Sequence, residues 1–290
     1  MKDYIIMTDS TTDLPLSYFK EHHVEFVTLP YIINDETYEG DHQLDVKEFY
    51  QKMRDGALPT TTQVNPETAL EKYREITSNA DVDILVLAFS SGLSGTYNSM
   101  RIAAEEFEEE DSEHRIVIID TLGASMGEGL IVHKAVCNKE KGMSLDENAA
   151  WVEENKLHVA HNFTVDDLFH LHRGGRVSKT AAIVGSLASI KPMLHVDDEG
   201  HLIKLSTVRG RKKSIHALLK AMEERIGDYE KENDVVFISH GDCEEEARFL
   251  ANLIEERFGI HNFMINHVGP TIGAHTGPGV IALFYMADHR

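Results

Sequence analysis

Short apolar runs alternating with amphipathic stretches constrain this chain more than any other feature. Tyr4–Met7, Ile84–Ala88, Ile116–Ile119, His158–His161, Val235–Ser239 and Phe263–Asn266 read as buried strands. Between them Asp45–Asp55, Pro66–Ser78, Thr96–Glu110, Ser144–Glu154, Arg211–Tyr229 and Glu244–Phe258 carry helical periodicity, and Ser144 with Glu147 forms a capping box. Strand, loop and helix recurring in that order predict an α/β fold with parallel pairing in the first half. In the second half Lys191–Val196 and His201–Val208 flank the turn Asp197-Asp198-Glu199-Gly200, which reads as an antiparallel hairpin. Two domains are therefore expected. The first, 1–158, has a mostly parallel sheet with flanking helices; the second, 159–290, is a mixed α+β unit, with the boundary near Lys156 to Asn162. The acidic run Glu105–Asp111 reads as the solvated end of a helix.

At 290 residues the chain has room for two cores. Its 49 acidic against 28 basic side chains give a net charge of −21, which opposes binding to nucleic acid or to anionic membrane surfaces. No apolar run approaches the roughly 18 residues needed to span a bilayer, and Met1-Lys2-Asp3-Tyr4 leads directly into a strand. The expectation is a cytoplasmic protein without a signal peptide or stable membrane insertion. Cys137 and Cys243 lack the spacing of a zinc or redox motif and read as core thiols of a reducing compartment. The 17 histidines, such as His22-His23 and His170/His172, lack metal-motif geometry, so no metal site is expected.

Four segments could carry chemistry. Pro59-Thr60-Thr61-Thr62-Gln63 precedes the helix beginning near Pro66 and offers hydroxyl donors to an anion; an ordinary polar loop capped by Asn65 is the alternative. Ser90-Ser91-Gly92-Leu93-Ser94-Gly95-Thr96-Tyr97 lies at the carboxyl end of an expected strand, where open α/β sheets bind ligands; a capped glycine turn is the alternative. Gly269-Pro270-Thr271-Ile272-Gly273-Ala274-His275-Thr276-Gly277-Pro278-Gly279 reads as a constrained loop around His275, which could donate to a carboxylate or serve structure. Arg173-Gly174-Gly175-Arg176, with Arg209, Arg211, Lys212 and Lys213 further on, suggests an anion or an acidic partner; a charged helix end with a Gly-Gly stop is the alternative.

Absences narrow the chemistry. No GxxxxGK[ST] loop occurs, and the near match to a dinucleotide fingerprint at Gly277-Pro278-Gly279 has no βαβ unit after it, so no nucleotide or other cofactor is expected. A rival enzymatic reading makes Ser94 a nucleophile with His275 or His240 and Asp9 or Asp120, as in a serine hydrolase or acyltransferase.

In order along nearly the whole chain, Asp9-Ser10, TTTQ at 60–63, SSGLSGTY at 90–97, RGGRVSK from Arg173, KPML from Lys191 and GPTIGAHTGPG from Gly269 make the sequence resemble the DegV family. The family's first hydroxyl motif usually reads Thr-Ser-Gln-Pro, where this chain has Thr61-Thr62-Gln63-Val64. The resemblance implies two domains with a long-chain, palmitate-like fatty acid between them and its carboxylate held near Thr61, Thr62, Ser94 and His275. Some relatives are fatty-acid-binding subunits of bacterial fatty acid kinase, so it also implies a carrier that is not itself an enzyme. A separate ATP-dependent kinase would then form the acyl phosphate, with Arg173 and Arg176 contacting that partner or the incoming phosphate. Affinity would reside in the tail: about 15 methylenes at about 0.8 kcal/mol outweigh head-group hydrogen bonds of about 1.5 to 3 kcal/mol each.

Overall fold

The structure, a computed structural model, describes residues 2–178 and 189–290; the Lys179 of the RGGRVSK run lies outside the described residues. Three sheets organise them. In the first half β1 (Tyr4–Asp9), β2 (Glu25–Val27), β6 (Asp83–Ala88) and β7 (Ile116–Asp120) form a four-stranded sheet in the order β2-β1-β6-β7. All of its pairings are parallel. The register sets Ile84–Ala88 of β6 against Ile116–Asp120 of β7. Both faces are covered, so β6 is a continuous buried run without alternation. Beside it, β3 (Tyr31–Ile33), β4 (Glu36–Tyr38) and β5 (Thr60–Thr61) make a small antiparallel sheet in the order β4-β3-β5.

The second half is mixed, as its hairpin predicts. The strands β8 (Val159–Thr164), β9 (Ile190–Val196), β10 (Leu202–Arg209), β11 (Val236–His240), β12 (Phe263–His267) and β13 (Ile281–Met286) form one six-stranded sheet, ordered β10-β9-β8-β13-β11-β12. The β9–β10 hairpin is antiparallel around Asp197–Gly200, and only β11 with β12 is parallel. The sheet type changes between β7, which ends at Asp120, and β8, which begins at Val159.

Local signals fix several helix ends. Asn65 caps the helix Pro66–Asn79 by accepting from the Glu67 N–H, with Pro66 in the first turn, and the Ser144–Glu147 capping box opens Leu145–Asn155. Two expectations need correction. The helix expected over Arg211–Tyr229 ends at Arg225 and yields to a 3-10 turn, Gly227–Glu232, where Gly227 has φ 46°. The glycine-rich segment read as a loop contains a helix, Pro270–Thr276, because Pro270 suits the first turn and Gly277, at φ 76°, ends the last. Among the elements that the sequence reading did not name are β13 and the helix Met126–Glu140. That helix packs against both large sheets, and Leu130, Ile131, Val132, Ala135 and Val136 are buried in a core that also takes residues from β1, β6, β8, β11 and β13. Among the described residues no helix is long and apolar enough to cross a membrane.

Candidate functional site

One cavity of about 400 Å³ lies where the loops at the carboxyl ends of the parallel strands meet one face of the six-stranded sheet. This is a common volume for a small-molecule site, and strand-end loops are where open α/β sheets bind ligands. Thr61, Thr62, Ser94, His275 and Arg176 all line it, so the structure brings together five of the six residues singled out from sequence. Arg173 stands behind them and points into backbone. Its Nη2 donates to the Pro59 carbonyl (2.6 Å) and to the Ala274 carbonyl (3.0 Å).

Each polar residue is held by local chemistry. Thr61 sits on β5, paired with Tyr31 of β3, and its Oγ1 lies 2.8 Å from His275 Nε2 across 214 positions of sequence. Gln63 is pinned by a bond from Nε2 to Ser99 Oγ at 2.9 Å. It also lies against Gly95, where an added Cβ would stand 2.1 Å from Gln63 Oε1, so the TTTQ and SSGLSG segments approach closely only because residue 95 is glycine. Where family members have proline, Val64 is buried and its N–H donates to Thr96 Oγ1 at 3.3 Å, a bond that proline cannot make. Ser94 Oγ accepts from the Thr96 N–H and lies 2.9 Å from Thr96 Oγ1. The hairpin tip closes over this loop, with Ser90 Oγ donating to the Gly200 carbonyl at 2.9 Å.

His275 is largely buried, and burial pushes its imidazole down to about 4, with Arg176, Arg173 and His170 adding to the shift. It is therefore neutral near neutral pH. Among the described residues Nδ1 has no hydrogen-bond partner, and it faces Gly174, where an added Cβ would lie 2.1 Å away. An unpaired acceptor is cheaper to bury than an unpaired donor, which places the proton on Nε2 and makes His275 the donor to Thr61. The Thr61 hydroxyl hydrogen is then free to turn toward the cavity.

Most of the rest of the lining is apolar, with Gln63, Ser125, His161, Thr271 and Thr276 as its polar members. On β13 Ala282 and Phe284 share one face and stand opposite Phe163 and His161 of β8, with Val280 lining the cavity just before the strand. Leu29, Phe89, Leu93, Val268 and Ile272 close the other sides. His161 behaves as wall: its Nε2 accepts from the Ala124 N–H, which leaves Nδ1 to donate to the Val159 carbonyl, and burial keeps the ring neutral. Sequence reasoning named none of these wall residues. The available signal was the alternation of lining positions along β8 and β13.

The catalytic triad drawn from sequence is not assembled. Ser94 pairs with Thr96 and His275 with Thr61, while His240 Nδ1 accepts from the Cys243 N–H. Asp9 accepts from the Thr11 and Phe89 N–H groups, and Asp120 from Ser91 and Leu122. Among the described residues no cluster of three or more His, Cys, Asp or Glu is arranged to hold a metal ion.

Comparison with known proteins agrees with this architecture. A family model described as "Uncharacterised protein, DegV family" matches residues 4–288. This chain belongs to the DegV family. A DegV domain-containing protein of Clostridium perfringens is 44% identical to it over 100% of this chain and 99% of its own. One of Lactococcus lactis is 40% identical over 97% of each. Among solved structures, a DegV family protein from Thermus thermophilus described for its fatty acid binding superposes with a TM-score of 0.86 at 30% identity, covering 99% of this chain and 100% of that one. DegV of Bacillus subtilis, described as a fatty acid binding protein, gives 0.85 at 28% identity, again over 99% and 100%. The mixed α/β fold with one parallel and one mixed sheet is thus the DegV fold.

Proposed function

We propose that this protein binds a long-chain fatty acid in the cavity between the two large sheets and presents its carboxylate to a separate kinase. The observation that carries the reading is one cavity whose lining combines a polar group, Thr61, Thr62, Ser94, Arg176 and His275, with a mostly apolar remainder that includes Phe163, Ala282 and Phe284. A carboxylate at the polar end would accept from the Thr61 hydroxyl, which His275 leaves free to donate, and from Ser94, while Arg176 supplies a positive charge nearby. The alkyl chain would run over the β8–β13 face. The two sheets correspond in this reading to domains 1–158 and 159–290, with the helix Met126–Glu140 packed between them.

A bound carboxylate becomes an acyl phosphate when its oxygen takes the γ-phosphoryl group of ATP and ADP leaves. The sequence has no phosphate-binding loop for ATP, so the reading assigns that step to a partner kinase, with Arg173 and Arg176 near the point of transfer. Mass spectrometry of an organic extract of the purified protein tests the binding claim. A long-chain acid at about one per chain is expected, or stoichiometric reloading after delipidation; a folded protein that neither yields nor reloads such an acid contradicts it. For the transfer claim, palmitate-loaded protein is incubated with ATP, with and without a purified fatty acid kinase, and acyl phosphate is trapped by hydroxylamine. Hydroxamate should form only with the kinase; none in either case removes the presentation role.

A further inference from the structure

The RGGR segment ties together the three loops that carry the polar end of the cavity. Arg173 Nη2 donates to Ala274 O, the carbonyl just before His275, and to Pro59 O, two residues before Thr61. Arg176 donates from both Nε (3.1 Å) and Nη2 (3.0 Å) to Leu93 O, the carbonyl just before Ser94, and from Nη1 to Gly174 O. Between the two arginines Gly174 lies against His275 Nδ1, with no space for a Cβ. The arginines follow the short helix Phe169–Arg173, which ends at Gly174, with Gly175 in the left-handed region at φ 76°. Both guanidiniums are partly buried, and burial lowers their pKa values without neutralising them at ordinary pH. In a chain of net charge −21, among the described residues neither forms an ion pair with an acidic side chain; their bonds go to main-chain oxygens.

We infer that Arg173 and Arg176 are positioning residues whose planar forks fasten the Pro59, Leu93 and Ala274 carbonyls, and so hold Thr61, Ser94 and His275 in the geometry that recognises a carboxylate. The inference rests on the fatty-acid reading and specifies how its polar end is built. A planar guanidinium can aim several N–H groups at fixed carbonyls, whereas a lysine ammonium on a flexible stem carries the charge without the fork. Charge and geometry can therefore be separated.

The experiment measures dissociation constants for palmitate and for hexadecanol, which share a tail, in the parent, Arg173→Lys, Arg176→Lys and Gly174→Ala proteins. Gly174→Ala keeps both arginines and crowds chiefly the imidazole, with the His170 carbonyl next at 3.3 Å. The expected result is a fall of about tenfold or more in the preference for acid over alcohol in all three variants, with hexadecanol affinity within about twofold of the parent. A second readout is the 15N spectrum of the His275 ring, which should lose its single tautomer signature in the same variants. Equal weakening of acid and alcohol would overturn the inference in favour of general destabilisation. Unchanged affinities with loss of kinase-dependent transfer alone would overturn it in favour of a docking role. Failure of the fatty-acid reading itself appears separately, as a parent protein that binds neither ligand.

Discussion

At its polar end the cavity is lined by residues from four separate segments, Thr61 and His275 alone being 214 positions apart, and Thr61, Ser94, Arg176 and His275 are each held by side-chain hydrogen bonds. Along its apolar length it is lined by alternate residues of two adjacent strands, β8 and β13, whose register places Phe163 beside Ala282 and His161 beside Phe284. The polar end is an assembly that can lose its geometry one bond at a time. The wall is a sheet face, whose shape changes only with the size of a side chain. The difference separates the energetics: area on the wall sets how tightly a ligand binds, and a few directed bonds set which head group is accepted.

The largest effect should come from the ligand's tail. Shortening the acid from sixteen to eight carbons removes about eight methylenes at about 0.8 kcal/mol each, so affinity should fall by roughly four orders of magnitude, read by isothermal titration. A loss below about tenfold would mean that the wall does not take the tail. Next, Ala282→Phe should fill the space opposite Phe163 and exclude three or four methylenes, weakening palmitate by roughly fiftyfold to two-hundredfold while sparing a twelve-carbon acid. Equal losses for both acids would point to misfolding instead of a shortened wall.

At the polar end the losses should be smaller and independent of chain length. Ser94→Ala removes one charge-assisted bond, about 1.5 to 3 kcal/mol, so affinity should drop roughly tenfold to a hundredfold by the same factor for twelve- and sixteen-carbon acids. A factor that grows with chain length would place Ser94 on the wall.

The smallest effect concerns stability in acid. Burial lowers His275 in the folded protein to about 4, below its ordinary value near 6.5, so between these values the unfolded chain binds the proton more readily. The neutral ring's contribution is intact above about 6.5 and is lost as pH falls toward 4, at no more than about 1.4 kcal/mol per unit. Urea unfolding of ligand-free His275→Gln should show a correspondingly flatter pH dependence than the parent; identical curves would mean that His275 titrates normally.

The sequence exposed the polar end better than the wall. Thr61, Ser94 and His275 sit in glycine- and proline-punctuated segments that residue types alone single out, and the resemblance to the DegV family names them within those segments. Their partners could not. The bond between Thr61 and His275, and the aim of Arg173 at carbonyls 59 and 274, depend on how distant loops meet. The helix Met126–Glu140 escaped because it is buried between two sheets and shows no amphipathic stripe, the signal by which surface helices are read. β13 escaped for a similar reason: Ile281–Met286 is apolar on both faces, and a short apolar run does not reveal which side chains face a cavity. The parallel first sheet and the hairpin about Asp197–Gly200 were legible because their patterns are local.

The central claim is that a fatty-acid carboxylate sits among Thr61, Ser94 and His275. Carbon-13 NMR of carboxyl-labelled palmitate bound to the protein observes that atom directly. The account predicts one bound carboxylate resonance, distinct from the free acid, that shifts in each of Thr61→Val, Ser94→Ala and His275→Ala but stays within a few tenths of a part per million in Ala282→Val. A resonance that ignores all three polar substitutions while the variants remain folded would place the carboxylate elsewhere and contradict the account.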